Sequence, residues 1–77
     1  MVKFKFHLYL KNFAKAEEKE LTLPGDGMRL DVGSYLKSLG IPLEEVGIIV
    51  VNGKWQDIDY ILRDGDSVEV FPVYLGG

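Results

Sequence analysis

The chain of 77 residues contains no cysteine and only one histidine. The lack of cysteine excludes a disulfide framework, a thiolate nucleophile and a thiolate zinc site. A lone histidine with no paired nucleophile or acid is not a catalytic site, so His7 is interpreted as a surface or interface residue. These absences predict a chain that is not itself an enzyme.

Long hydrophobic runs and an excess of positive charge are also missing. No apolar stretch is long enough to span a bilayer, and the first residues alternate between polar and apolar types, unlike a signal peptide. The formal net charge is −3, whereas phosphate binding requires a clustered positive surface. We therefore expect one small cytoplasmic domain that binds neither membranes nor nucleic acids.

The acidic residues of the second half do not form a metal-binding pattern. Asp64 and Asp66 flank Gly65, which is typical of a turn, and the spacing of an EF-hand loop is absent. The glycines lack the spacing and the following lysine of a phosphate-binding loop. We expect no metal or cofactor to be bound by this chain.

The first half of the sequence predicts a β-hairpin followed by one helix. Apolar and polar residues alternate from residue 2 to residue 11, which predicts a strand with His7 and Tyr9 on its outer face. Residues 12–18 are interpreted as a turn or loop, and residues 19–23 as the partner strand, ended by a turn at 24–27.

The only convincing helix follows this hairpin. Val32, Tyr35, Leu36 and Leu39 recur at helical spacing. Asp31 is the expected N-cap, and Gly40 occupies the position of a C′ glycine. A helix of about two turns is therefore predicted, and it must depend on packing against a sheet.

The second half predicts three more extended segments. The apolar run 48–51 is interpreted as a strand buried on both faces, and Asn52-Gly53 as a tight turn into a short strand that begins near Trp55. Trp55 is expected to pack in the core or at the sheet edge. Residues 57–62 are interpreted as an irregular or single-turn helical connection, residues 63–66 as a turn, and residues 67–72 as the last strand.

This order of elements indicates an α+β chain with a β-grasp (ubiquitin-like) fold, a mixed four- to five-stranded sheet with one main helix packed on one face. The first and last strands are expected to lie side by side and parallel at its centre. Residues 1–72 would form the β-grasp domain, and residues 73–77 a flexible tail ending in Gly-Gly. A ferredoxin-like split βαβ fold would require a second full helix.

Four stretches resemble the small sulfur-carrier proteins related to the molybdopterin synthase small subunit and the thiazole-synthesis sulfur carrier. They are residues 1–14, 39–46 and 50–54, and the segment 62–72 that leads to Gly76-Gly77. The opening strand and Phe71-Pro72 are closer to the molybdopterin or tungstopterin branch. The bulky Tyr74 and Leu75 depart from the usual tail of that branch.

The resemblance implies that the carboxylate of Gly77 is adenylated by an E1-like enzyme and then converted to a thiocarboxylate that donates sulfur. Gly76 would be the spacer that keeps the tail thin, since neither glycine has a Cβ. The partner enzyme would use ATP and magnesium. A sulfur-accepting synthase large subunit would be the second partner. The pathway that the resemblance implies is molybdopterin or tungstopterin cofactor biosynthesis.

The expected partner-binding residues lie on the outer sheet face and along the tail. Tyr9 and Phe71 would contact the partner, because exposed aromatic residues on a sheet often mark an interface. Alternatively, Phe71 packs over the sheet edge or under the tail. The full expected set is Tyr9, Phe71, Pro72, Val73, Tyr74 and Leu75.

Two other functions remain open from the sequence. The chain could be a β-grasp interaction module that carries no sulfur, in which case the terminal Gly-Gly would be incidental. It could also be a ubiquitin-like modifier joined through Gly77 to lysines, or a carrier for tRNA thiolation, both of which share the adenylation step. A mass change on target lysines would distinguish the modifier.

Overall fold

The structure is a computed structural model that describes residues 1–25 and 29–74. These residues form five strands, two α-helices and one 3₁₀ helix. They are β1 (Val2–Phe6), α1 (Leu10–Ala14), β2 (Glu18–Leu21), α2 (Val32–Ser38), a 3₁₀ helix (Leu43–Glu45), β3 (Val46–Val51), β4 (Lys54–Gln56) and β5 (Ser67–Pro72).

The described strands form one mixed sheet in the order β2-β1-β5-β3-β4. β1 and β5 are parallel neighbours at its centre, with Phe4 opposite Val68 and Phe6 opposite Val70. The other three strand pairs are antiparallel. This is the β-grasp arrangement predicted from the sequence, including the central pairing of the first and last strands.

The core lies between the sheet and α2. Strand alternation turns Phe4 and Phe6 of β1 inward, where each is 1% exposed, and Val70 of β5 is fully buried beside them. Leu36 of α2 is also fully buried against this layer. Burying side chains of this size contributes about 1.5–3 kcal/mol each to the free energy of folding, so the sheet and the helix stabilise one another.

The first strand is shorter than its alternation predicted. β1 ends at Phe6, and Leu8 adopts a positive φ of 53° with its side chain 50% exposed. Tyr9 directly precedes the next helix and packs partly against the core, so the prediction that it lies on the outer face of the first strand is wrong. A second helix, α1, then begins at Leu10, so the predicted loop at residues 12–18 is wrong in its first part. Leu10 and Ala14 are one helical turn apart and both buried, which explains why this segment coils onto the core.

The main helix agrees with its sequence signals. Asp31 is the N-cap, and its carboxylate accepts hydrogen bonds from the backbone N–H of Ser34 at 2.9 Å and from its hydroxyl at 2.7 Å. These bonds lower the pKa of Asp31 below its ordinary value. Gly40 follows the helix with φ +84°, the left-handed conformation expected of a C′ glycine.

The second half differs from the sequence predictions in two places. β3 begins at Val46 and alternates, with Ile49 and Val51 buried but Ile48 and Val50 only half-buried, so it is not buried on both faces. Trp55 lies on the edge strand β4, which agrees with the expected place at the sheet edge, but it is 77% exposed and does not pack in the core. Among the described residues, the side chains of β3 and β5 that face the core are buried, whereas those on the other face of the sheet are half-buried or exposed.

The predicted turns are confirmed where the structure describes them. Asn52 and Gly53 have φ angles of 51° and 85°, as a tight hairpin turn requires, and Gly65 has a φ of 91° in the turn before β5. The predicted turn at 24–27 lies partly outside the described residues. In the part of the chain that is described, no helix is long and apolar enough to cross a membrane.

A buried carboxylate ties together the loops that precede β5. Asp66 is 6% exposed, and its two oxygens accept hydrogen bonds from Asn52 Nδ2 at 2.9 Å, Tyr60 OH at 3.0 Å and the backbone N–H of Arg63 at 2.9 Å. Each donor comes from a different loop or turn position. The carboxylate therefore fixes the start of the central strand against its neighbours.

We predict that Asp66→Ala lowers the free energy of unfolding by about 1–3 kcal/mol, because it leaves three part-buried donors without their acceptor. Asp66→Asn keeps the size and one acceptor oxygen, so its loss should be smaller. Chemical denaturation of the two variants measures the difference. Equal stability of Asp66→Ala and the unchanged protein would contradict this role.

Candidate functional site at the root of the tail

Three chain segments meet where β5 ends. Because β1 and β5 are parallel, the residues that follow each of them lie at the same edge of the sheet. β3 is antiparallel to β5, so its beginning lies at this edge too. Tyr9 after β1, Glu45 before β3 and Val73 after β5 are thereby brought together, although up to 64 positions separate them in the sequence.

The end of β5 is held against β3 by an irregular register. Val46 pairs with Pro72, whereas Ile48 pairs with Phe71, so Gly47 is an extra residue in β3, as in a β-bulge. A Cβ on Gly47 would lie 2.7 Å from the carbonyl oxygen of Pro72, which is too close for any side chain. Glycine therefore permits the close approach of these two strands.

Beyond Pro72, two backbone amides continue to bind the body of the domain. The N–H of Val73 donates to the carbonyl oxygen of Glu45 at 3.0 Å. The N–H of Tyr74 donates to the hydroxyl of Tyr9 at 3.4 Å. That hydroxyl donates in turn to Oε1 of Glu45 at 3.0 Å. We call residues 72–74 the tail root.

The environment of Tyr9 keeps its hydroxyl protonated. Partial burial raises the pKa of Tyr9 above its ordinary value, and the hydrogen bond to the Glu45 carboxylate acts in the same direction. The bond from the Tyr74 amide opposes them but is outweighed. A protonated hydroxyl can both donate to Glu45 and accept from Tyr74.

An aromatic pair lies on the outer sheet face beside the tail root. The rings of His7 and Phe71 are stacked, with their centroids 4.1 Å apart and their planes 2° from parallel. His7 Nε2 lies 2.9 Å from Glu69 Oε1. Phe71 is half-buried by this stacking, and its side chain lies on the solvent side of the sheet, as predicted.

The residues predicted to bind a partner differ in exposure. Val73 and Tyr74 are 45% and 71% exposed, and Tyr9 is half-buried. Pro72 is fully buried in the core, so it is placed to direct the tail root, not to offer surface. Leu75, Gly76 and Gly77 lie outside the described residues. A role of these residues in partner binding stays a prediction.

Sequence reasoning missed two residues of this region and misjudged the exposure of a third on the same sheet. Glu45 and Gly47 fell within a segment interpreted as a plain connector, although a glycine directly before an apolar strand is a known signal of a bulge or close backbone approach. Trp55 pairs with Val50 across β3 and β4, which extends the apolar outer face toward the sheet edge. No local pattern distinguishes an exposed tryptophan from a buried one.

Among residues 1–25 and 29–74, no cluster of three or more His, Asp or Glu side chains could hold a metal ion. What this region offers is backbone and side-chain hydrogen bonding around an extended segment, next to an apolar sheet face. Such an arrangement can present a tail to another protein.

A family model described as Mut7-C ubiquitin matches residues 1–75. The chain belongs to the Mut7-C ubiquitin family. No curated protein sequence matches it. Among solved structures, this member of the family is similar to a putative molybdopterin converting factor, subunit 1, from Pyrococcus furiosus, with 32% identity and a TM-score of 0.69 over 92% of this chain and 94% of the other.

A second structural match is SAMP1 from Haloferax volcanii. It is 21% identical to this Mut7-C ubiquitin chain, with a TM-score of 0.67 over 99% of this chain and 98% of the other. Another structure, described as the small archaeal modifier protein 1 of H. volcanii, is 19% identical with a TM-score of 0.65. At these identities the two structures support the fold alone. The family match and the Pyrococcus structure confirm the ubiquitin-like family resemblance, and all three structures support the β-grasp fold.

We predict that Gly47→Ala lowers the free energy of unfolding by about 1–3 kcal/mol, because the added Cβ must displace backbone at the end of β5. Gly25→Ala is the matched control, since a Cβ there meets no atom of the described residues within 4 Å. Thermal and chemical unfolding of both variants provides the comparison. A Gly47→Ala protein as stable as the control would contradict the close approach.

We predict that Tyr9 ionises at a higher pH than a free tyrosine. Because its pKa is raised in the folded protein, the stabilisation it contributes is complete below the unfolded pKa of about 10 and is lost as the pH rises through the folded value. The difference in tyrosinate absorbance between the unchanged protein and Tyr9→Phe isolates this residue. An ionisation at the ordinary tyrosine pKa would contradict the predicted environment.

Proposed function

We propose that this chain is a ubiquitin-like sulfur carrier whose reactive group is the carboxylate of Gly77. The observation that carries the proposal is the 32% identity, over nearly the whole chain, to a putative molybdopterin converting factor subunit, combined with a Gly-Gly pair three residues beyond Val73. The tail root supports it, because the amides of Val73 and Tyr74 are hydrogen-bonded to the domain and so fix the chain up to two residues before that pair.

The proposed reaction needs no catalytic group on this chain. A carboxylate oxygen of Gly77 attacks the α-phosphorus of ATP, and pyrophosphate leaves, which gives an acyl-adenylate. Hydrosulfide then attacks the acyl carbon, the bond to the adenylate oxygen breaks, and AMP leaves with its electron pair. The product is a thiocarboxylate at Gly77 that can donate its sulfur.

An E1-like adenylating enzyme supplies the nucleotide pocket, the magnesium ion and the catalytic side chains in this proposal. A sulfur-accepting synthase large subunit, or an equivalent enzyme, takes the sulfur, with molybdopterin or tungstopterin cofactor biosynthesis as the proposed pathway. Docking uses the outer sheet face near Tyr9 and Phe71. The aromatic stack of His7 and Phe71 gives that face an apolar surface next to the tail root.

The length of the chain after Pro72 is sufficient for the proposed adenylation. From Pro72, the five following residues span at most about 17 Å at 3.3–3.6 Å each, which is enough to enter a recessed nucleotide pocket. The two glycines present no Cβ, so the last part of such a tail passes through a narrow channel. Tyr74 and Leu75 require that the channel be wider farther from the reactive end.

The first experiment is the intact mass of the protein purified from its own cells, and of protein incubated with ATP, sulfide and the host adenylating enzyme. Replacement of one carboxylate oxygen by sulfur adds about 16 Da, and the gain should disappear in a variant that lacks Gly77. Circular dichroism of that variant should be unchanged, because the sheet and the core end at Pro72.

The other outcomes separate the alternatives. No mass gain with an adenylating enzyme that is active on another carrier would favour a binding module that carries no sulfur. Larger adducts on lysines of other proteins, lost with Gly77, would identify a modifier. A native C-terminus at a residue other than Gly77 would refute the proposed reactive group directly.

A further inference from the structure

The hydroxyl of Tyr9 is the junction between the body of the domain and the last described residue. It donates to Glu45 Oε1 at 3.0 Å and accepts from the N–H of Tyr74 at 3.4 Å. Both bonds come from one atom, so a single substitution removes both. We call Tyr9 and the Glu45 side chain the clasp.

The clasp is made by side chains, whereas the neighbouring hydrogen bond, from Val73 to Glu45, joins two backbone groups. Val73 is held by the backbone carbonyl of Glu45, which every residue type at position 45 would provide. The amide of Tyr74, one residue farther along, donates to the Tyr9 side chain, so this bond depends on the residue type at position 9. The Glu45 carboxylate orients the Tyr9 hydroxyl, since a phenol that donates to one acceptor turns its lone pairs toward another donor.

We propose that Tyr9 and Glu45 are positioning residues that hold the tail root at Tyr74 and so fix where the reactive end is presented. This inference rests on the proposed function for its consequence in the reaction. The hydrogen bonding itself does not depend on that function, and it can be measured on the isolated protein.

The consequence is a shorter and better defined reach. With the clasp closed, only the three residues after Tyr74 are left to span the distance to the partner's nucleotide, about 10 Å when fully extended. With the clasp open but Val73 still held, four residues span about 14 Å and sample a larger volume. The clasp therefore reduces the ordering that the partner must impose when it binds the tail.

The predicted kinetic effect follows from this ordering. Tyr9→Phe keeps the ring and removes the hydroxyl, so the tail must be ordered by the partner. We expect the KM for the carrier in ATP–pyrophosphate exchange to rise about three- to tenfold, the effect of roughly one hydrogen bond, with kcat unchanged within about twofold. A loss shared by all bound states acts on KM and not on kcat.

The Glu45 variants test the geometry of the clasp. Glu45→Ala removes the acceptor that orients Tyr9 and leaves the backbone carbonyl that holds Val73, so it should raise KM as Tyr9→Phe does. Glu45→Gln keeps an acceptor oxygen at the same position and should behave as the unchanged protein. If Glu45→Gln is as impaired as Glu45→Ala, the proposed acceptor role is refuted.

A matched control distinguishes positioning from general stability. Tyr60→Phe also removes a tyrosine hydroxyl bonded to a carboxylate, Asp66 at 3.0 Å, but at the opposite end of β5. It should destabilise the fold and leave KM unchanged. An equal rise of KM in Tyr60→Phe and Tyr9→Phe would show that stability alone explains the effect and would overturn the proposal.

Backbone relaxation by NMR tests the clasp without any partner. In the unchanged protein we expect ordered amides at Val73 and Tyr74, with order parameters near about 0.85. In Tyr9→Phe the value for Tyr74 should fall below about 0.6 while that for Val73 stays high, because only the first depends on the hydroxyl. Unchanged order at Tyr74 in Tyr9→Phe would overturn the proposal.

The two readouts separate the clasp from the proposed function. If the unchanged protein supports no ATP–pyrophosphate exchange with an active adenylating enzyme, the carrier function fails, and the NMR comparison still decides whether the clasp holds the tail. If exchange occurs and Tyr9→Phe alters neither KM nor the order of Tyr74, the carrier function stands and the positioning role is refuted.

Discussion

The parallel pairing of β1 with β5 is the constraint on which the rest of this structure depends. It places the first and last strands of the chain at the centre of the sheet, where Phe4 lies opposite Val68 and Phe6 opposite Val70. The core against α2 is built from these strands. Because parallel strands run in the same direction, the same pairing also brings the residue after β1 to the residue after β5.

The two ends of β5 are fixed by different chemistry. At its start, the buried Asp66 accepts hydrogen bonds from Asn52, Tyr60 and Arg63, so that the β3–β4 turn and the β4–β5 connection are joined through one carboxylate. At its end, the bulge at Gly47 lets β3 approach Pro72, and hydrogen bonds extend the ordered backbone two residues beyond the strand. The backbone position of Val73 and Tyr74 is therefore fixed by the strand that precedes them and by these hydrogen bonds.

Fixing both ends of β5 suits a protein that presents the chain segment after this strand to another protein. The described residues contain hydrogen-bonding and apolar surfaces around the tail root, and the proposed reaction draws its nucleotide, metal ion and catalytic groups from a partner. In the proposed reaction, this chain would therefore position the tail for the partner enzyme. Specificity would arise from the outer sheet face, where His7 is stacked on Phe71, and from the bulk of Tyr74 along the tail.

The sequence by itself determined the order of strands and helix, the caps Asp31 and Gly40, the tight turn at Asn52-Gly53 and the inward face of β5. Each depends on neighbours within a few positions, through side-chain alternation or through the conformational freedom of glycine. The end of β1 and the helix α1 were decided by the tertiary structure, because the alternating pattern continues past Phe6 while the chain turns to bury Leu10 and Ala14. The exposure of Trp55 and the meeting of Tyr9, Glu45 and Tyr74 were decided there as well, since contacts between residues 36 and 65 positions apart leave no local pattern.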